Sequence, residues 1–294
     1  MSKANGQVEH LNYSRQLVRN CMDMLRVPNL DRELRMRMAS VVDLHGTSTK
    51  FILPDGGRLY DDKEFKALDE TVELRLPYPY IALEYHSNGY QRDLDEPIGY
   101  MDGMPQYESS DFISAPKRVI YARERQGYIV VTIAFWTRHD AVWRVLPECG
   151  MPSIGYLDRG KPTIGGRPAL KVAFEDKRVP LSDYMDELGA LLCFLNILQC
   201  SNVHIERSEP ARNGKKPKLK DALPFDTYHV LTIDVPNISG IGNATGGHRS
   251  PREHLRRGHI RRLSDGRRIW VNATVVCAGR GAGVVTKDYK VRCN

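Results

Sequence analysis

Apolar residues recur at three- and four-residue steps from the start of the chain, with Leu11, Leu17, Val18, Met22 and Leu25 along one side of the segment from His10 to Val27. That spacing predicts an amphipathic helix ended by Pro28. A second helix is predicted over Leu30 to Val42, with Leu30, Leu34, Met38 and Val41 or Val42 on its apolar side and Arg32, Arg35 and Arg37 elsewhere. Both helices are expected to flank a sheet. Phe51 to Leu53 reads as a strand entering the turn Pro54-Asp55-Gly56-Gly57, and the acidic stretch Asp61 to Glu73 as a short helix. The period then drops to two. Val72 to Leu76 and Tyr80 to Tyr85 read as strands about the Pro77-Tyr78-Pro79 break. Arg118 to Glu124, Gly127 to Thr137 and Ala141 to Leu146, separated by turns, form an antiparallel meander that holds Trp136 and Trp143.

After the Gly/Pro-rich connection Gly150 to Pro168, the segment from Tyr184 to Leu198 is apolar nearly all round, through Leu188, Leu191, Leu192, Leu195 and Leu198. Such a helix belongs deep in a core, and Ser182 is placed to cap it. Val203 to Glu206 and Tyr228 to Val235 are predicted strands on either side of a basic loop. Near the end, Arg261-Arg262-Leu263, Ser264-Asp265-Gly266 and Arg267-Arg268-Ile269-Trp270-Val271 read as a hairpin, because Asp-Gly supplies the positive φ of a tight turn. The fold class expected is α+β: an antiparallel sheet with flanking helices, one central apolar helix and a C-terminal basic β-hairpin. The division drawn is residues 1–150, with the meander, and residues 151–294, with the core helix at 182–199 and the hairpin at 259–276, or one continuous domain. The Gly-, Pro-, Asp- and Tyr-rich stretch 87–114 is read as a long functional or inserted loop.

Composition narrows the class. The chain has 294 residues, of which 41% are hydrophobic and 27% charged, as in an ordinary folded protein. The longest uncharged apolar run, Leu188 to Leu198, is too short to span a membrane. The polar start Met-Ser-Lys-Ala-Asn-Gly has no export signature, so a cytoplasmic setting is expected. The six cysteines, at 21, 149, 193, 200, 277 and 293, make no CxxC and no zinc-type Cys/His spacing, and Cys193 and Cys200 read as small buried hydrophobes. No metal and no cofactor is expected.

Charge carries the functional signal. From His248 to Asn294 there are twelve Arg or Lys against Glu253, Asp265 and Asp288, a net of +9, whereas the whole chain is +7. A second basic stretch, Arg207 to Lys220, holds Arg207, Arg212, Lys215, Lys216, Lys218 and Lys220 against Glu209. Concentrated charge of this kind points to an anionic partner. Guanidinium groups are permanently charged forks that grip phosphate oxygens, so Arg249, Arg252, Arg256, Arg257, Arg261, Arg262, Arg267 and Arg268, with Lys215, Lys216 and Lys218, are the candidate nucleic-acid contacts. Trp270 is available either to stack on a base or to face the core. Strand alternation sends Arg261 and Arg262 to opposite sides, and likewise Arg267 and Arg268. The glycines at 240, 242, 246 and 247 match neither GxGxxG nor a Walker A loop, and no GxSxG elbow is present.

His248, His254 and His259 lie in the same basic stretch, where a positive field lowers a histidine pKa toward that of a general base. A ribonuclease that works without metal needs only an acid, a base and cations for the phosphate, so His254 and His259 are the candidate catalytic pair.

The run Pro251-Arg252-Glu253-His254-Leu255-Arg256-Arg257-Gly258-His259-Ile260-Arg261-Arg262, followed by Arg268-Ile269-Trp270-Val271, resembles the C-terminal end of uncharacterised proteins encoded by bacteriophages and prophages. Leu76-Pro77-Tyr78-Pro79 with Glu84 is similar to the same group. The resemblance covers about a quarter of the chain and implies a phage setting without implying an activity. Three functions follow as expectations: binding of DNA or RNA backbone through the arginine-rich hairpin; inhibition of an acidic host enzyme or defence protein by the same arginines; or metal-independent cleavage of RNA.

Overall fold

The structure, a computed structural model, describes residues 10–57, 59, 72–87, 99–101, 104–106, 116–137, 141–158, 169–173, 179, 182–208, 226–234, 254–256, 259–271 and 274–276. The helices are α1 (Tyr13–Leu25), α2 (Arg32–Thr47) and α3 (Ser182–Ile197). The main sheet is built from β1 (Thr49–Ile52), β2 (Tyr80–His86), β5 (Lys117–Arg125), β6 (Tyr128–Thr137), β7 (Val142–Val145), β8 (Cys149–Pro152), β11 (Val203–Ser208) and β12 (Tyr228–Ile233). Short antiparallel pairs join β3 (Gly99–Met101) to β4 (Met104–Gln106) and β9 (Leu157–Asp158) to β10 (Ala169–Leu170). Near the C-terminus, β13 (His254–Arg256) pairs with β16 (Thr274–Val276), and β14 (His259–Arg262) with β15 (Arg268–Val271).

The strand order in the main sheet is β11-β12-β1-β2-β5-β6-β7, with β8 also on β6. β7 pairs with Ala134–Thr137 and β8 with Tyr128–Val131, so the two lie end to end along one strand. The sheet is α+β in character but not antiparallel throughout, which corrects the expectation from sequence. β1 runs parallel to both β2 and β12. Hydrophobic alternation reports which residues face the core and is blind to strand direction. The chain between β1 and β2 is long enough for the crossover that a parallel return requires. Val72–Leu76 is not a strand, although Leu74 is fully buried and its N–H donates to Ser153 O at 2.8 Å. The division drawn at residue 150 runs through β8, and strands from both sides of it share the sheet. The helix read over 61–73 lies outside the described residues.

Register sorts the sheet's side chains onto two faces, and helices cover both. One face carries Phe51, Ile81, Leu83, Tyr85, Ile120, Ile133 and Phe135, in one cluster with Leu188, Leu191, Leu192, Phe194 and Leu195 of α3. The opposite face carries Ala82, Val119, Tyr121, Ala134, Trp143 and Val145, packed with Leu17, Val18 and Cys21 of α1 and Met38, Val41 and Leu44 of α2. In α3 every described side chain from Ala190 to Ile197 is buried, consistent with its apolar circumference. No described helix is long and apolar enough to cross a membrane.

Candidate functional site

The C-terminal ribbon is held to the body at the turn between α3 and β11. Asn202 Nδ2 donates to Trp270 O at 3.0 Å, and Trp270 N–H donates to Asn202 Oδ1 at 2.8 Å. Ser201 N–H and Oγ both donate to Arg268 O, and Arg268 Nη1 donates to Gln199 Oε1 at 2.6 Å. The tip turns through Gly266, whose φ of 85° favours glycine. The pairings His254↔Val276, Arg256↔Thr274 and Arg262↔Arg268 follow a single register.

Alternation decides what this ribbon presents. Arg262 lies opposite Arg268 and Ile260 opposite Trp270, so these four share one face; Arg261 belongs to the other. Trp270 is 6% exposed and packs into the α3-side core with Ile260. It takes the core-facing option and offers no ring to a base. Arg261, Arg262 and Arg267 are exposed, Arg268 is half-buried, and Arg267 Nη2 lies 2.7 Å from Asp265 Oδ2. Two bonds from Arg267, one from its backbone N–H and one from Nε, hold the Asp265 carboxyl below its ordinary range. His259 is half-buried on β14 and His254 lies on β13. Arg256 is on β13, while Arg249, Arg252, Arg257, Lys215, Lys216 and Lys218 lie outside the described residues. Among the described residues no three His, Cys, Asp or Glu gather as a metal site.

Sequence reasoning missed a second polar centre, buried on the α1/α2 face of the sheet. Glu84, fully buried on β2, receives Tyr13 N–H at 2.7 Å, Ser14 N–H at 3.1 Å and the Tyr228 hydroxyl at 2.9 Å. It thereby caps the first turn of α1, where Asn12 makes no side-chain cap. Burial raises the Glu84 pKa, and the bonds from Ser14, Tyr13 and Tyr228 oppose that rise. Beside it, Lys50 Nζ lies 3.2 Å from Asp226 Oδ1 and donates to His45 O at 2.9 Å. His45 Nε2 is 3.7 Å from the same carboxylate oxygen. Burial, then the Lys50 charge, pushes the His45 pKa down to about 4 against the pull of Asp226, with Arg15 adding to the fall. One available signal was a lone carboxylate in the apolar strand Tyr-Ile-Ala-Leu-Glu-Tyr; Lys50 within Thr-Lys-Phe-Ile was another. These groups neutralise and cap one another and fix α1, α2, β1 and β12 together.

No protein-family model, curated protein or solved structure matches the chain.

Proposed function

We propose that the protein is a phage-type accessory factor that binds nucleic-acid backbone through its arginine-rich C-terminal ribbon. The observation that carries this reading is the ribbon tip: from Arg261 to Arg268 it holds four arginines and one acid, and three of the arginines are exposed. The ribbon is tied to the body through two hydrogen bonds between Asn202 and Trp270, which supports reading those charges as carried on the fold.

The topology adds a second basic element. The stretch with Lys215, Lys216 and Lys218 leaves the sheet after Ser208 and returns before β12, at the opposite end of β11 from the Ser201–Asn202 anchor. Phosphate contact through exposed arginines would confer affinity with little base preference.

The test is fluorescence anisotropy of labelled DNA and RNA across a salt series. Binding should weaken linearly in log–log form, with a slope of about −0.9 per phosphate on duplex DNA. Absence of salt-sensitive binding to any nucleic acid would overturn the proposal.

A further inference from the structure

The ribbon tip carries cations on two opposite sides, and that arrangement selects the shape of polyanion that fits it. Arg262 lies directly opposite Arg268, so both project from the face that also carries Ile260 and Trp270. Arg261 projects from the other face. Leu263 N–H donates to Arg267 O at 2.8 Å, which continues the pairing by one step and puts Arg267 on the face of Arg261. Each face of the two strands therefore carries two arginines. Arg261, Arg262 and Arg267 are exposed, while Arg268 is half-buried against Gln199.

A single strand, or a flat anionic surface, lies along one face of such a ribbon and leaves the arginines of the other without phosphate. A groove walled by phosphate on both sides meets both faces at once. The major groove of B-form DNA, about 12 Å wide, admits a two-stranded ribbon, whereas the minor groove, about 6 Å wide, does not. Duplex RNA fits poorly, because its major groove is deep and narrow. Reach agrees with this choice. The ribbon is anchored at Arg268, whose carbonyl accepts from Ser201 N–H and Oγ. Asp265 lies three residues further on, up to about 10 Å at strand spacing, against a groove depth of about 8.5 Å. As the one acid in the tip, Asp265 suits the same placement. It sits in the turn and accepts from Arg267 N–H and Nε, so in a groove its carboxylate lies toward base edges, which include amino donors.

We propose that the ribbon tip enters the major groove of B-form duplex DNA, with Arg261 and Arg267 toward one phosphate wall and Arg262 toward the other. This rests on the nucleic-acid reading above and adds to it the strand form and the groove.

The experiment measures anisotropy of a labelled DNA duplex containing A·T tracts, the same sequence as duplex RNA, and one of its single strands. Each is titrated with the full chain over a salt series, and circular dichroism melts check that the variants fold. Duplex DNA should bind about tenfold more tightly than the other two, which engage one face of the ribbon. Arg261→Ala and Arg262→Ala should each reduce the steepness of the duplex-DNA salt slope by about 0.9, and Arg262→Lys should keep the parent slope. Netropsin, a minor-groove ligand, should leave the complex intact. Bulky C5 substituents on the pyrimidines project into the major groove and should weaken binding about tenfold. If the parent binds nucleic acid but favours no strand form, or if only one of the two arginines changes the slope, the groove is refuted while the ribbon reading stands. Displacement by netropsin refutes it in the same way. If the parent binds no nucleic acid, both fall. Tighter binding of polyglutamate than of duplex DNA would also refute the groove, in favour of an acidic protein partner.

Discussion

The side-chain amide of Asn202 imitates a strand neighbour for Trp270: it gives one hydrogen bond to the tryptophan carbonyl and takes one from its N–H. A short polar side chain at the end of α3 thereby supplies the pairing that fixes β15 against the body. Trp270 completes the attachment by burying its indole in the α3-side core. Asn202→Ala should remove both bonds and leave the Trp270 backbone partly unsatisfied, at a cost of about 1–3 kcal/mol. Hydrogen exchange followed by mass spectrometry should show faster exchange over 259–271 in the variant, with the sheet strands β5 and β6 unchanged. Equal protection in both proteins would show that the indole and the Ser201 and Gln199 contacts of Arg268 hold the ribbon without Asn202.

His45 makes stability depend on acidity. Its pKa is pushed down to about 4 in the folded chain, against about 6.5 when unfolded. Between those values the unfolded chain binds the extra proton, so stability is fully present above about pH 6.5 and is lost as the pH falls toward 4. The contribution is at most about 3.5 kcal/mol, since a tenfold difference in proton affinity between the two states corresponds to about 1.4 kcal/mol. Lys50, Asp226 and Arg15 all face this histidine, and the Asp226 pull is already part of the balance. In urea melts from pH 4 to 7, His45→Gln should lose stability less steeply on acidification than the parent protein.

Glu84 works in the opposite sense. Its pKa is raised by burial, so the folded chain holds the proton more tightly than the unfolded one. Its contribution is present below the unfolded carboxyl pKa and falls as the pH rises through the folded value. Glu84→Gln removes that titration but turns an amide donor toward groups that already donate: Tyr13 N–H, Ser14 N–H and the Tyr228 hydroxyl. The variant should be destabilised at every pH by about 1–3 kcal/mol. Its deficit relative to the parent should widen as the pH is lowered, a trend that guanidinium melts at several pH values would read directly.

Much of the layer structure was legible in the pattern of the chain, and the reason lies in periodicity. Leu17, Val18, Met38 and Val41 recur with the helical period, and Val119, Tyr121, Ile133 and Phe135 alternate with the strand period, so each face could be read locally. Direction was not legible. Nothing in Phe51 or Leu83 reports that β1 and β2 run the same way, because side-chain alternation is identical in parallel and antiparallel strands. The buried polar centre was hidden for a related reason: Glu84 and Asp226 are far in sequence from His45 and Lys50, and the groups meet only once the parallel strands are placed. The arginines of the tip were visible from composition, but Asp265 beside Arg267, and Gln199 and Ser201 beside Arg268, came only with the structure.

The pair Arg118 and Glu187 ties α3 to β5 at 2.8 Å, with the guanidinium carbon 5.3 Å from the Phe135 ring centre. Glu187 is 2% exposed. Removing Glu187 takes the 2.8 Å carboxylate from the mostly buried Arg118 guanidinium, so Glu187→Ala should cost about 3–5 kcal/mol. Replacing both, as Arg118→Leu with Glu187→Leu, should recover most of that loss, because neither charge then needs a partner. A double-mutant cycle in urea measures the difference, and a double variant as unstable as the single would mean that packing around Arg118 and Phe135, rather than charge, governs this contact.

Two arginines on the ribbon should separate binding from folding. Arg261 is exposed and occupies the face away from the core, whereas Arg268 is half-buried and donates to Gln199 at 2.6 Å while its carbonyl receives both Ser201 donors. Arg261→Ala should leave the melting temperature almost unchanged, as exposed substitutions away from special contacts shift stability by no more than about 0.5 kcal/mol. It should also reduce the salt slope of nucleic-acid binding by about one phosphate's worth. Arg268→Ala keeps the carbonyl contact but loses the bond to Gln199, so it should lower stability by about 1 kcal/mol and loosen the ribbon along with any change in affinity. Measuring both quantities for both variants discriminates the roles: an Arg261→Ala protein that melts early would place this side chain in the scaffold and withdraw it from the phosphate contacts.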